Sequence, residues 1–295
     1  MSNDYDSKYD FLTGLLKAFA LPTAVDEDIH FTFDTAHPKF NLLKSSYPIK
    51  TIAGNGDNFS KSKNLLHWVS NHMYHKGDYS GNIPRNSIDL LNHSFEKGSE
   101  NGVNCVCLAT ILTECLLAIG LKATTVFIMP CSPYDGDNHC VTQVYIENTN
   151  KWVMFDPTLN AFFTNEKGEC LSLLELRNHF ANQEHVFFNE EAKYNDNEWT
   201  AESAKENMLY FAKNLFYFQM SENSTFEASN TPNNRFVTLS PQGYDPKHTR
   251  LSNIEYRIKK WGDNPNMQNW IENAKKEKMF YSSSCTFEKS PIISE

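Results

Sequence analysis

The sequence lacks any long apolar run and any excess of basic residues. Its hydrophobic stretches stay below the roughly 20 residues that a membrane-spanning helix needs. The formal net charge is −9, and an acidic chain without a basic tract is poorly suited to nucleic acid or to an anionic membrane surface. We therefore expect no nucleic-acid partner and no membrane partner.

The N-terminus lacks the pattern of a secretory signal peptide. Three aspartates fall within the first ten residues, and Lys17 interrupts the apolar part, whereas a signal peptide has a basic start and an unbroken apolar centre. Helical spacing instead predicts an amphipathic helix that packs through Phe11, Leu12, Leu15, Leu16 and Phe19. We expect a cytoplasmic protein.

Disulfide bonds are not expected to hold this chain together. It has seven cysteines, an odd number, and with 295 residues and 40% hydrophobic content it can bury a core without covalent staples. In a reducing compartment most of these cysteines would be free thiols that pack as small apolar side chains.

The chain has no internal repeat and no Pro-, Gly- or Ser-rich linker. Periodicity predicts helices over residues 63–74, 87–97, 106–119, 172–181 and 265–278, with Ser87 and Ser172 as N-caps. Strands are predicted over residues 123–129, 139–146, 152–156 and 235–239, whereas 209–220 fits either a helix or a strand. This order favours an α+β fold.

The helix over 106–119 is apolar nearly all round, except at Glu114, and ends before Gly120. Such a helix belongs in the core. Cys105 stands at its start, where the positive end of the helix dipole lowers the pKa of a thiol and so favours the nucleophilic thiolate.

A predicted hairpin brings a histidine and an aspartate close together. The turn ENTNK at 147–151 joins the two strands and places His139 opposite a residue near 158 to 160. Asp156 lies within about two positions of that residue, so its carboxylate could orient the imidazole. Spacing alone does not bring Cys105 to this pair.

Four segments together resemble the core of the transglutaminase-like superfamily, and in particular its bacterial-type members. They are Cys105-Val-Cys-Leu-Ala109, Gly120-Leu-Lys-Ala123, His139 with Val144-Tyr145, and Trp152-Val-Met-Phe-Asp156-Pro157-Thr158. The preceding Leu65, His67, Trp68 and Val69 resemble the helix that comes before the cysteine helix in this superfamily. The resemblance covers about residues 60 to 165.

The resemblance implies an α+β fold with a papain/transglutaminase-like core, in which a buried nucleophile-bearing helix packs on an antiparallel sheet. On this basis we predict one domain in three parts. Residues 1–60 form an N-terminal helical extension, 61–165 the catalytic core, and 166–295 a C-terminal embellishment packed on that core.

The resemblance also implies a catalytic triad of Cys105, His139 and Asp156. The expected activity is cleavage of amide bonds in a peptide or protein through an acyl-enzyme, with hydrolysis preferred as in a peptidase or amidase. Two alternatives stay open: a protein-glutamine acyltransferase, and a non-catalytic binding or scaffold module on the same fold. The oligomeric state is not predicted.

Of the two oxyanion-hole donors, only one is predicted as a specific group. One donor would be the backbone N–H of Cys105, and a polar group from the helix Trp68 to Tyr74 is a candidate for the second. Asn104 precedes the nucleophile, where the crosslinking enzymes carry other residues. No acidic cluster has calcium-loop spacing, so we expect no cofactor and no metal.

The remaining cysteines and histidines have simpler interpretations. Cys107 lies about 200° from Cys105 around a helix and is expected to pack in the core. Cys140 should face away from His139 on its strand, and Cys131 belongs to a loop, 131–138, that could line the site. A zinc site from Cys105, Cys107, His139 and Cys140 is the competing chemistry, but Cys-x-Cys entering a helix is unlike a zinc knuckle. We interpret His67, His72 and His75 as solvated or packed.

Overall fold

The computed structural model describes residues 2–24, 28–262 and 265–291. The outer ends of the predicted division, residues 1 and 295, lie outside these ranges. The helices are α1 (Ser2–Ala18), α2 (Lys39–Ser46), α3 (Ile49–Ala53), α4 (Asn58–His72), α5 (Ser87–Ser94), α6 (Cys105–Ala118), α7 (Leu173–Ala181), α8 (Ala201–Asn214), α9 (Pro246–Trp261), α10 (Pro265–Lys276) and α11 (Ser284–Phe287).

The strands are short and mostly lie in the middle of the chain. They are β1 (Thr32–Phe33), β2 (Ala123–Met129), β3 (His139–Ile146), β4 (Lys151–Asp156), β5 (Ala161–Asn165), β6 (Val186–Phe188), β7 (Tyr217–Ser221), β8 (Asn223–Ser224), β9 (Phe236–Leu239) and β10 (Phe280–Tyr281). All the predicted helices and strands are present, with shifts at their ends.

The fold is α+β, as predicted, and is built on one eight-stranded sheet in the order β10-β9-β7-β2-β3-β4-β5-β6. The pairs from β7 through β6 are antiparallel, and β10 joins β9 in parallel. Because β7, β9 and β10 come late in the chain, the C-terminal part completes the same sheet that carries the central hairpin. A parallel pair of β1 and β8 lies apart from it.

Helix α6 packs on one face of this sheet, and its nearest strands are β3 and β2. Leu108, Ile111 and Leu112 are buried at the interface with α2, α4 and α5. Burial of a leucine or isoleucine side chain contributes about 1.5–3 kcal/mol of hydrophobic free energy, so this helix is fixed firmly against the sheet. The prediction of a core helix is confirmed.

The one acidic residue of α6, Glu114, is buried and joins three parts of the chain. One carboxylate oxygen accepts hydrogen bonds from Ser87 N and Ser87 Oγ, at 2.7 and 2.6 Å, and the other accepts from Glu227 N at 2.9 Å. Burial raises the pKa of Glu114 to about 7, although these hydrogen bonds oppose the shift. A polar residue in an apolar helix thus has a structural explanation.

Two predicted boundaries are wrong for local reasons. The N-cap of α5 is Asn86 and not Ser87, because the Asn86 side chain accepts the hydrogen bond from Asp89 N. Helix α4 begins five residues earlier than predicted, since Asp57 accepts from Ser60 N at 2.8 Å and caps it. The predicted capping box at Ser172 is confirmed.

The ambiguous stretch 209–220 contains a helix end and a strand. Helix α8 ends at Asn214 and β7 begins at Tyr217, so neither a helix nor a strand alone describes it.

Behind the sheet, α7, α8 and α1 form a second apolar cluster on the face opposite α6. Helix α1 contributes Leu16 to it, whereas Phe11, predicted to pack, is 65% exposed.

In the described part of the chain, no helix is both long and apolar enough to cross a membrane. All seven cysteines are free thiols; Cys107, Cys115 and Cys140 are buried, and Cys285 is exposed.

Candidate active site

Cys105 is the first residue of α6 and is partly buried. Asn104 is the N-cap, and its side-chain oxygen accepts a hydrogen bond from Cys107 N at 3.3 Å. In an α-helix the first backbone N–H groups have no partner within the helix. The N–H of Cys105 therefore points toward the same helix end as its thiol, where it can stabilise negative charge.

His139 and Asp156 meet at the ends of two adjacent strands. His139 begins β3 and Asp156 ends β4. The His139 Nε2 and Asp156 Oδ2 are 2.8 Å apart, and both side chains are almost fully buried. The other carboxylate oxygen accepts from Thr158 N at 2.8 Å. Asp156 is therefore fixed on both sides, and Nδ1 of the imidazole is left for another partner.

The thiol of Cys105 completes this arrangement. It interacts with the side chains of Cys140, His139 and His75. The hydrogen bond from Cys140 lowers the pKa of Cys105 most, and those from His139 and His75 lower it further; burial opposes them, but the pKa stays well below its usual range. The structure thus brings the three predicted residues together and favours the thiolate.

The imidazole is correspondingly held in its charged form. Burial alone would lower the pKa of His139, but the charge and hydrogen bond of Asp156, together with Cys105, outweigh burial and raise this pKa to about 10. A thiolate paired with an imidazolium is the resting state that these shifts favour near neutral pH.

Cys140 is a close neighbour of Cys105, which its predicted orientation on β3 did not indicate. Side chains do alternate along β3, since Thr142 Oγ1 donates to Ala109 O of α6 at 3.2 Å, whereas Val141 lies in the cluster behind the sheet. But α6 begins on the face to which Cys140 points, so its thiol contacts Cys105. Cys140 thus points away from His139, as predicted, and nevertheless lies beside Cys105.

His75 also reaches Cys105, although from the sequence we interpreted it only as solvated or packed. A parallel bridge pairs His75 with Val103, two residues before Cys105. Asn195 fixes the backbone further, because its side chain accepts from His75 N at 2.8 Å and donates to His75 O at 3.1 Å. These contacts fix the backbone of His75 and so keep its imidazole beside Cys105.

A tyrosine sets the orientation of the His75 ring. The His75 Nδ1 and the Tyr194 hydroxyl oxygen are 3.0 Å apart. Burial, with smaller contributions from Tyr74 and Cys105, raises the pKa of Tyr194, so the phenol keeps its proton. The tautomer of His75 in which Nδ1 accepts that proton carries its own ring proton on Nε2, which is then an N–H donor for the site.

Helix α8 forms an aromatic wall behind the His139 imidazole. The rings of Tyr210 and Phe211 lie edge-on to His139, with ring centroids 5.4 and 5.9 Å away. Tyr210 also donates to Asn138 O at 3.1 Å and so anchors the residue before His139. The stretch 209–220, for which both a helix and a strand were left open, thus positions the imidazole.

The other predicted neighbours are farther from the chemistry. Cys107 packs in the α6 core, as predicted, and burial raises its pKa to about 11. Cys131 lines a separate cavity of about 420 Å³ between α1 and α8. His67 forms a hydrogen bond with Asn160 Oδ1, and the His72 ring stacks on the ring of Phe95. Among the described residues, no group of three potential ligands is arranged to hold a metal ion.

Residues 46–157 match the family model of the transglutaminase-like superfamily. The matched segment runs from the end of α2 to just beyond Asp156 and contains all three predicted triad residues. This part of the chain is a transglutaminase-like domain, and the resemblance inferred from the motifs is confirmed.

Two solved structures show a distant likeness to the chain. One is a candidate cysteine protease from Cytophaga hutchinsonii, with 16% identity and a TM-score of 0.32. That alignment covers 61% of this chain and 62% of the other, so the match spans less than two thirds of that protein. The other is an arylamine N-acetyltransferase from Nocardia farcinica, with 11% identity, 84% and 100% coverage and a TM-score of 0.28. A search of curated proteins gives no match.

Proposed function

We propose that the protein is a cysteine-triad enzyme that cleaves amide bonds in peptides or proteins through an acyl-enzyme, with water as the usual acceptor. The observation that carries the proposal is the pairing of Cys105 with His139, whose far nitrogen lies 2.8 Å from Asp156 Oδ2. Nucleophile, acid–base group and orienting carboxylate are the three roles that this chemistry requires.

In the first half-reaction, the Cys105 thiolate attacks the amide carbonyl carbon, and the carbonyl π electrons move to oxygen. The tetrahedral intermediate collapses as the imidazolium of His139 gives its proton to the leaving nitrogen. The C–N bond breaks, the amine departs and a thioester remains on Cys105. Asp156 holds the ring and stabilises its positive charge before the proton leaves.

In the second half-reaction, the neutral imidazole of His139 takes a proton from a water molecule as its oxygen attacks the thioester. Collapse of the second intermediate breaks the C–S bond and releases the carboxylic acid and the thiolate. An amine in place of water would give transamidation by the same steps. The triad alone does not discriminate between water and an amine as the acceptor.

The proposal also assigns the second oxyanion donor. The N–H of Cys105 at the start of α6 is one donor, and the Nε2–H of His75, held by Tyr194, is the second. This replaces the expected donor from the helix before Tyr74. Together the two groups would surround the oxygen that gains charge during attack.

His75→Ala should lower kcat/KM by about 10²-fold, the usual loss when one oxyanion donor is removed. Alkylation of Cys105 by iodoacetamide at pH 10, where loss of the His75 hydrogen bond no longer limits the thiolate, should fall much less, because alkylation forms no oxyanion. Steady-state turnover and the labelling rate, measured side by side, give this comparison. His75→Gln, which restores an N–H donor, should recover part of the turnover. Equal losses in both assays would show that His75 acts only on the thiolate.

The acceptor is tested by incubating the protein with a library of glutamine-containing peptides and a dansyl-labelled amine. We expect cleavage or deamidation in mass spectra, with little amine incorporation. Predominant incorporation would make the protein a transglutaminase. If Cys105 reacts no faster than an ordinary thiol and no peptide changes, the non-catalytic scaffold is the correct description.

The expected cytoplasmic location belongs to this proposal. Seven free thiols suit a reducing compartment, and a thiolate at the centre of the site needs one in order to stay reduced.

A further inference from the structure

A cavity of about 550 Å³ lies beside the site, on the side of β2 and β7. Val106 and Asn138, the chain neighbours of Cys105 and His139, form part of its wall. Phe127 and Tyr217 supply apolar surface, and several threonines supply hydroxyl groups. Its volume is within the range of small-molecule sites, and the triad described above makes no use of it.

The acidic groups that line this cavity are already engaged. Glu277 pairs with Arg250, and Asp135 pairs with Lys213, whose ammonium lies 3.0 Å away. Glu114 accepts three hydrogen bonds and is buried. A positively charged ligand would therefore find no free carboxylate in this wall.

The basic side chains that line the cavity differ in whether they already have a partner within the protein. Lys247 donates to two backbone carbonyls at 2.8 Å, and Arg257 donates to Gly136 O at 2.7 Å. Arg85 is exposed and, within the described parts of the chain, has neither an ion pair nor a hydrogen bond. Among the described basic groups of this wall, Arg85 therefore offers its whole guanidinium to a ligand, whereas Arg257 leaves only a buried Nε without a partner.

Arg85 also lies close enough to the nucleophile to act on its surroundings. Burial raises the pKa of Cys140, which contacts Cys105, and the charge of Arg85 opposes that shift. The same charge opposes the effect of burial at Cys107. The guanidinium of Arg85 thus lies at the cavity wall and close enough to Cys140 and Cys107 for its charge to act on both thiols.

We propose that this cavity binds the substrate next to the cleaved amide and that Arg85 pairs with a carboxylate of that substrate. The inference rests on the proposed function and narrows its substrate class to amides of carboxylate-bearing molecules. A planar guanidinium with no internal partner can bind a carboxylate through two parallel hydrogen bonds. The carboxylate belongs either to an acidic side chain or to a chain terminus.

Two alkylating reagents of nearly equal size test this inference. Iodoacetate carries a carboxylate and iodoacetamide is neutral, so the ratio of their rates at Cys105 reports the charge beside the sulfur. Arg85→Gln should lower this ratio about 3- to 10-fold, and Arg85→Lys should keep most of it. The wild-type ratio should fall as salt is raised, because the guanidinium is exposed.

Lys97→Gln is the matched control, since it removes one exposed positive charge that does not line the cavity. Its ratio should equal that of the wild type. The charge on His139 is present in every variant and cancels from the comparison. An Arg85→Gln ratio equal to that of Lys97→Gln would overturn the inference.

Protection of Cys105 from iodoacetamide identifies the source of the carboxylate. N-acetyl-alanine offers a terminal carboxylate, N-acetyl-aspartate amide offers a side-chain carboxylate, and N-acetyl-alanine amide offers neither. Protection by one acid at lower concentration than by the neutral amide, and its loss in Arg85→Gln, would support the inference and name the source. Equal protection by all three would refute it. Slow labelling of wild-type Cys105 by iodoacetamide is a separate result, which counts against the proposed function.

Discussion

Replacing Cys105 with serine is expected to lower amide turnover by at least about 10³-fold, because a serine hydroxyl in this setting lacks a preformed anionic nucleophile. The change Cys107→Ser, two residues later, should leave most of the turnover in place. Cys107 packs among the core residues of α6 and burial raises its pKa to about 11. The two variants differ only in which sulfur is lost.

Labelling gives the same comparison without a known substrate. At pH 6, one equivalent of iodoacetamide should modify Cys105 ahead of the other six cysteines, as mapped by peptide mass spectrometry. Cys105→Ser should lose the fast label and Cys107→Ser should keep it. Equal and slow labelling of Cys105 and Cys107 would contradict the activated thiolate.

The second large effect is expected at the His139–Asp156 pair. His139→Ala removes a group that lowers the pKa of Cys105, so less thiolate is present in mildly acidic solution. Labelling at pH 6 should slow by about 10-fold or more, since each unit of pKa is a factor of ten in thiolate below the pKa. At pH 10 the variant and the wild type should react at similar rates. His185→Ala, which changes an exposed histidine far along the sheet, is the control.

The pH dependence of turnover follows from the direction of the shift. The pKa of His139 is raised to about 10, so the proton needed by the leaving amine is present below that pH and is lost above it. Asp156→Asn removes the charge that raises this pKa, which moves the alkaline limb toward neutral pH. An alkaline limb that stays unchanged in Asp156→Asn would show that Asp156 does not hold the imidazolium.

Local spacing was sufficient to predict the core helix and the hairpin, and the resemblance added Cys105 as the candidate nucleophile. A continuous apolar run and a glycine after its end predict α6 from neighbouring residues alone, whereas its capping residue, Asn104, was not predicted. The turn at 147–151 sets the pairing of Tyr145 with Trp152, and that pairing brings His139 within reach of Asp156. Interactions of this kind depend on a few consecutive residues, which a single sequence displays.

The rest of the site depends on contacts between distant segments. His75 reaches Cys105 through a bridge to Val103 and through Tyr194, 119 residues farther along the chain. Strand alternation gave the face of Cys140 correctly but could not say on which face α6 begins. The position of Arg85 beside a cavity depends likewise on how α5, β2 and α9 come together, and no local pattern encodes that.

The parallel pairing of β1 with β8 has a consequence for how the protein is made. Thr32 pairs with Asn223, and the Thr32 Oγ1 donates to Asn223 Oδ1, across 191 residues of chain. Translation proceeds from the N-terminus, so the early segment has to wait for residue 224 to leave the ribosome before it can dock. Contacts of such long sequence separation make folding slow. Tyr194 and Tyr210 also follow the cysteine helix and the hairpin in the chain, so both elements leave the ribosome before these two tyrosines do.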